Sequence, residues 1–141
     1  MHTIPRIAIR AALVLLVLLL AACAGRAVKP ETAEEQVRTR AQERWALMIA
    51  RDFDAAYAFL TPGTRLLHTQ QDFNEKYRNT RVDWKSAEVK EVLCEAADRC
   101  TLKVEVAFAL IGGMRGVPNV NGDQIINEVW LLEDGSWYHL P

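Results

Sequence analysis

This 141-residue chain contains three cysteines. A cysteine thiol can form a disulfide, bind a metal ion or react as a nucleophile. Cys94 and Cys100 are separated by five residues, whereas the redox motif of thiol oxidoreductases is C-x-x-C. No histidine or further cysteine lies near this pair at the spacing of zinc ligands, so the sequence predicts no metal site. Cys23 stands apart from the pair, directly after a run of apolar residues.

That run extends from Ala11 to Ala22, and Arg6 and Arg10 precede it. As a helix it would be about 18 Å long at 1.5 Å per residue. It is shorter than the roughly 20 residues that cross a bilayer. A basic start, a short apolar centre and small residues at the end are typical of a secretory signal peptide. We therefore expect residues 1–22 to be a signal peptide that is removed.

The last four residues of this segment, Leu20-Ala21-Ala22-Cys23, resemble the lipobox of bacterial lipoproteins. The resemblance implies that the Cys23 thiol receives a diacylglyceryl group and that cleavage occurs just before it. Enterobacterial lipoproteins kept at the inner membrane carry Asp after this cysteine, and here the residue is Ala24. In a Gram-negative host the resemblance thus implies the periplasmic face of the outer membrane. Three acyl chains would anchor the protein permanently, at about 0.8 kcal/mol per buried methylene.

Two alternatives remain for the N-terminus. Ala22-Cys23-Ala24 also fits the small-x-small rule of ordinary signal cleavage, which would remove the cysteine. The segment could also stay uncleaved as a membrane anchor.

Export also bears on the other two cysteines. In an oxidising compartment, two cysteines within one domain are read as a disulfide. The residues between them are mostly polar and fit a hairpin turn between two strands. We therefore predict a Cys94–Cys100 disulfide.

Length and charge limit the function of the mature chain. The 119 residues from Cys23 onward (141 less 22) suffice for one domain with a sizeable core. They carry 18 acidic residues against 15 basic ones (17 less Arg6 and Arg10), which argues against nucleic-acid binding. We expect residues 23–31 to form the lipidated cysteine and its tether, and residues 32–141 to form a single domain.

The first half of that domain has helical spacing. Thr32, Asp52 and Thr69 can each cap a helix, and Thr61-Pro62-Gly63 is expected to end the second one. In the first helix the apolar stripe contains Val37, Ala41, Trp45 and Met48, whereas Arg38, Arg40, Glu43 and Arg44 mark the other side.

After Asn79 the apolar residues recur at every second position, as they do in a strand. Strands are predicted over 82–93, with a bulge, and over 101–110, followed by a glycine-rich loop at 112–123. Residues 124–133 and 136–140 then form a hairpin turned at Asp134-Gly135. Helices first and an antiparallel sheet afterwards indicate an α+β domain with the helices packed on one sheet face.

Two segments resemble nuclear-transport-factor-two-like (cystatin-like) domains. Residues 51–65 (RDFDAAYAFLTPGTR) are similar to the helix-turn segment of that family, and residues 128–138 (EVWLLEDGSWY) to its closing hairpin. The resemblance implies a cone of helices against a curved antiparallel sheet, often enclosing a pocket. It implies no reaction, because this fold carries enzymes and non-enzymes alike.

Enzymes of that family use a pocket carboxylate or a His/Asp pair as general base. The residues of this chain that could serve are Tyr57, His68, Asp72, Tyr77, Asp83, Glu128 and His139. A base must reach its proton, which spacing alone does not establish. His68 is expected in a loop, and the alternation of strand faces favours a solvent-facing Glu128 over one in the pocket. No catalytic residue and no cofactor is therefore predicted.

The aromatic residues are interpreted mainly as core, although some could line an apolar cavity. A pocket, if formed, is expected to involve Tyr57, His68, Asp72, Tyr77, Trp84, Glu128 and Trp130. The sequence favours a membrane-anchored envelope lipoprotein whose domain binds an envelope protein or a small apolar ligand without catalysis. The alternative is a small hydrolase or isomerase that uses a carboxylate or His68.

Overall fold

The structure is a computed structural model that describes residues 31–112 and 119–141. The predicted signal peptide, the lipidation site at Cys23 and the tether before Glu31 lie outside these residues. In the described part, helices come first: α1 (Ala33–Ile49), α2 (Phe53–Tyr57), α3 (Pro62–Leu67) and α4 (Gln70–Arg78). The strands follow: β1 (Val82–Ala96), β2 (Arg99–Ile111), β3 (Asn119–Glu133) and β4 (Ser136–Leu140).

The strands form one antiparallel sheet in the order β1-β2-β3-β4. The predicted α+β class, with helices followed by an antiparallel sheet, is confirmed. No helix among the described residues is long and apolar enough to cross a membrane.

Short polar side chains start the helices. Thr32 and Thr69 each form a capping box, with Glu35 and Asp72 respectively, and the Asp52 side chain accepts from the Ala55 amide. The prediction that Thr61-Pro62-Gly63 ends the second helix is wrong, because α2 already ends at Tyr57. Thr61 caps α3 and Pro62 opens it, because a first helical turn needs no amide donor from its proline and tolerates its fixed φ.

The sheet differs from the prediction mainly at the start of β3. Residues 119–123, predicted as loop, pair with β2, for example Ile111 with Asn119 and Ala107 with Asp123. Backbone hydrogen bonds extend the antiparallel pairing through these residues, although their side chains do not alternate between apolar and polar. Gly122 lies opposite Phe108, and a Cβ at Gly122 would come 3.0 Å from that ring. The rest of the predicted loop, residues 113–118, lies outside the described residues.

The core lies between the helices and one face of the sheet. α1 contributes Val37, Ala41, Trp45 and Met48, and the strands contribute a larger apolar set: Val89, Cys100, Leu102, Val104, Val106, Trp130 and Trp137. Most of the aromatic residues are buried in this core or packed against it, which confirms their interpretation as core.

The predicted disulfide is present. Cys94 and Cys100 are cross-strand partners in the β1–β2 hairpin, joined by an S–S bond of 2.01 Å. Their strands are connected by only Ala97 and Asp98.

Candidate functional site

A cleft of about 360 Å³ opens between α3, α4 and the C-terminal residue Pro141. α4 presents Asp72, Phe73, Lys76 and Tyr77 to it, because residues four apart lie on the same side of a helix. The remaining wall comes from the segment around α3 and from the residue after β4: Leu60, Thr64, His68 and Pro141. The floor is thus apolar and aromatic, with four polar side chains around it.

The Asp72 side chain takes part in capping the N-terminus of α4. Its Oδ2 atom accepts from the Thr69 amide (3.1 Å) and the Thr69 hydroxyl (2.7 Å). These bonds, the hydroxyl first, hold the pKa of Asp72 below its usual value, and the charge of His68 lowers it further. The carboxylate therefore stays ionised near neutral pH and serves mainly as a helix cap.

Lys76 contributes a positive charge to the cleft. Its ammonium nitrogen lies 5.3 Å from the centre of the Tyr77 ring, close enough for a cation–π contact. It forms no ion pair with any of the described residues.

Glu128 lies in the core and not at the surface. Its side chain is one of the least exposed charged groups in the described part, and its Oε1 atom accepts from Arg44 Nη1 (3.0 Å) and Trp45 Nε1 (2.8 Å). Its Oε2 atom accepts from Trp130 Nε1 (2.9 Å). The predicted solvent-facing orientation of Glu128 is therefore wrong. The inner face of β3 accepts this carboxylate because three donors compensate its loss of water.

Arg44, predicted on the solvent side of α1, is likewise only 3% exposed, and that prediction is wrong too. Arg44 follows Val37 by seven residues, which is two helical turns. That spacing on the apolar stripe is the signal that could have identified it as buried.

His139 completes this buried polar centre. It is 8% exposed, is the cross-strand partner of Trp130, and its Nδ1 atom has no hydrogen-bond partner in the described structure. Burial, and secondly the positive charge of Arg44, lower the pKa of His139 to about 2. The ring is therefore neutral at physiological pH.

A chain of aromatic rings runs from the buried centre to the cleft. Trp45 packs edge-on against Trp84 with ring centroids 6.2 Å apart, and Trp84 lies 5.7 Å from Tyr77. Tyr77 in turn packs against Phe73 at 4.6 Å. Such pairs gain energy beyond their buried area, so the aromatic wall of the cleft is packed onto the core.

The structure brings only some of the expected pocket residues together. His68, Asp72 and Tyr77 line the cleft. Tyr57 and Trp84 stand behind it: the Tyr57 hydroxyl donates to the His68 carbonyl oxygen (2.8 Å), and Trp84 packs on Tyr77.

The other expected residues lie elsewhere. Glu128 and Trp130 belong to the buried centre, and Asp83 on β1 pairs with Lys85. Leu60, Thr64, Lys76 and Pro141 also line the cleft. They were not expected there, because the pocket prediction started from carboxylates, histidines and aromatic residues. In the described ranges no three His, Cys, Asp or Glu side chains are grouped to hold a metal ion.

No protein-family model and no curated protein matches this chain in sequence. Solved structures do resemble it. A SEC-C motif containing protein from Rhodopseudomonas palustris is 20% identical, with a TM-score of 0.56, over 86% of this chain and 83% of that one. A ketosteroid isomerase-like protein from Erwinia carotovora atroseptica is 18% identical, with a TM-score of 0.58, over 77% of this chain and 92% of that one.

The CamKII hub homology domain of Chlamydamonas reinhardtii is 15% identical, with a TM-score of 0.53, over 77% of this chain and 94% of that one. The isomerase-like protein and the hub domain have nuclear-transport-factor-two-like folds. The fold of this chain is consistent with that class. At these identities the likeness concerns the fold alone.

Proposed function

We propose that this chain is a lipid-anchored protein of the cell envelope whose domain binds a small apolar ligand in the cleft and performs no catalysis. The observation that carries the binding role is the cleft itself. Its volume of about 360 Å³ is at the lower end of the range for small-molecule sites. An apolar floor with few polar groups at its edge is the usual composition of such sites.

The positions of the carboxylates argue against catalysis. A general base needs free access to a substrate proton. Glu128 accepts from three side-chain donors inside the core and does not line the cleft. Asp72 lines the cleft, but it is hydrogen-bonded to the Thr69 amide and hydroxyl.

The anchor is supported by the sequence Leu20-Ala21-Ala22-Cys23 at the end of the apolar run. Cys23→Ser should abolish incorporation of labelled fatty acid, since the thiol is the acylated group. A mature protein that begins at Gly25 would contradict the anchor, because cleavage after Ala24 removes the cysteine.

The ligand can be sought by native mass spectrometry of the full chain purified from its own membrane. We expect a retained small molecule in the parent protein, and strongly reduced retention in His68→Trp, where the larger ring stands at the cleft. Gln71→Trp is the matched control, since Gln71 is exposed on α4 but does not line the cleft. No retained small molecule, or equal retention in both variants, would count against the binding role.

One observation favours the enzyme alternative. His68 and Asp72 both line the cleft and interact electrostatically, so His68 could act as a general base in a small hydrolase or isomerase. Hydrolysis of p-nitrophenyl acetate by the parent protein, lost in His68→Gln and kept in Gln71→Glu, would support this alternative over binding alone.

A further inference from the structure

Two neighbouring leucines at the end of α3 face solvent. Leu66 is 88% exposed and Leu67 is 81% exposed, more than any other large apolar side chain in the described part. The next residue, His68, lines the cleft. Single exposed leucines are common, but two adjacent ones beside a ligand-sized cleft indicate a contact surface.

The segment of the chain that contains these leucines is more basic than the rest of the domain. Residues 61–81 carry four basic side chains and two acidic ones. The basic residues are Arg65, Lys76, Arg78 and Arg81. The other described residues carry eight basic and sixteen acidic side chains. An apolar pair within the basic part of an otherwise acidic domain is complementary to an anionic lipid surface.

The anchor proposed above, at Cys23, would place such a surface within reach. Only residues 24–30 separate Cys23 from Glu31, and seven residues span at most about 25 Å. A tether of that length fixes how far the domain can move from the membrane, but it does not fix which face turns toward it. It also raises the effective concentration of the membrane surface, so that a weak contact becomes populated.

We propose that the end of the domain formed by α3 and α4 docks on an anionic bilayer, with Leu66 and Leu67 inserted among the lipid headgroups. The basic side chains of this segment, residues 61–81, supply the charge that attracts the lipid phosphates, and Arg78 also pairs with Asp54 (3.9 Å). Because His68 follows the two leucines, one edge of the cleft lies at the membrane surface. This proposal rests on the anchor of the proposed function for its effective concentration, but it makes a separate claim about orientation.

The test uses the full chain with a tryptophan introduced at one of two sites. L66W places the new ring in the proposed contact, and L93W is the matched control on β1, where the leucine is 60% exposed. The four native tryptophans are common to both variants. Trp45, Trp130 and Trp137 are buried, and Trp84 is half-buried. The vesicles contain phosphatidylcholine with or without phosphatidylglycerol, in each case with brominated acyl chains that quench nearby tryptophan.

We expect the emission added by L66W to be quenched at least twofold more than that added by L93W, and the difference to shrink without phosphatidylglycerol or at high salt. Equal quenching at the two sites, or none at L66W, would overturn the docking. Flotation of the same samples reports the anchor separately. Protein that floats with the vesicles while L66W stays unquenched leaves the anchor intact and assigns the leucines to another partner.

Discussion

Each oxygen of the Glu128 carboxylate accepts hydrogen bonds from within the core, and Arg44 has no other charged partner in the described structure. Removing one member of a buried pair leaves an uncompensated charge, which costs about 3–5 kcal/mol. We expect Glu128→Gln to lower the free energy of unfolding by about that amount, measured by urea denaturation.

Glu133→Gln, five residues further along β3, is the control, and we expect it to change stability by less than about 0.5 kcal/mol. The double variant Arg44→Met/Glu128→Gln should be less destabilised than Glu128→Gln, because neither charge remains to be buried and the amide oxygen can still accept from an indole nitrogen. A loss below about 1 kcal/mol for Glu128→Gln would mean that the core does not depend on the pair.

His139 is expected to make the free energy of unfolding decrease as the pH falls. Burial and Arg44 lower its folded-state pKa to about 2, from the ordinary value of 6.5, so the unfolded state takes up the proton first. Its contribution to stability is complete above pH 6.5 and declines as the pH falls, by about 1.4 kcal/mol per pH unit. Between neutral pH and pH 5 we expect a loss of about 2 kcal/mol in the free energy of unfolding.

Thermal or urea unfolding across this pH range measures the loss. His139→Gln should flatten the profile, whereas His68→Gln should keep its slope, because His68 is exposed. An unchanged slope in His139→Gln would assign the pH dependence to other groups.

At the scale of elements, β1 is the edge strand that needs protection from pairing with another chain. Its register shifts at three places and skips Lys85, Lys90 and Glu95. Two side chains of α1 cover carbonyl oxygens of this strand: Arg38 donates to Val89 O, and Gln42 donates to Ala87 O (2.8 Å). Bulges, edge lysines and covered carbonyl oxygens are the devices that keep an exposed edge from adding strands.

We therefore expect Lys85→Val/Lys90→Val to self-associate at lower concentration than the parent protein, as measured by sedimentation velocity. Monomer stability should change little, because the ion pairs of these lysines are exposed and contribute less than about 1 kcal/mol each. Lys103→Val, on the central strand β2, is the control for replacing a single exposed lysine with valine, and it is compared with Lys85→Val and Lys90→Val singly. Equal association of all three single variants would indicate a general effect of added apolar surface.

For the whole molecule, the buried apolar residues described here all lie between Val37 and Trp137. We expect a chain that begins at Glu31 to unfold cooperatively, with the same midpoint as the longer mature chain. A chain that begins at Gln42 should not fold, because it lacks Val37 and Ala41, which are fully buried. Circular dichroism during heating compares the three. A lower midpoint for the first would show that earlier residues contribute to the core.

The sequence by itself determined the features that depend on nearby residues. Helix caps at Thr32 and Thr69, the disulfide between Cys94 and Cys100, and the turn at Asp134-Gly135 were all predicted and are present. Each is decided within a few residues, by a side chain that satisfies a neighbouring amide, by a short hairpin, or by two positive φ angles.

Only the tertiary structure decided which groups compensate the buried charges of Arg44 and Glu128. Arg44 stands in an amphipathic helix and Glu128 in an apolar strand, and local rules assign charged residues in such elements to the solvent side. The charged partner of each lies 84 residues away along the chain, so no local pattern shows that the charge is compensated. The cleft has the same origin, because its wall comes from α3, α4 and the residue after β4. Packing and two backbone hydrogen bonds, from Thr61 N to His139 O (3.0 Å) and from His139 N to Phe59 O (2.7 Å), bring these distant segments together.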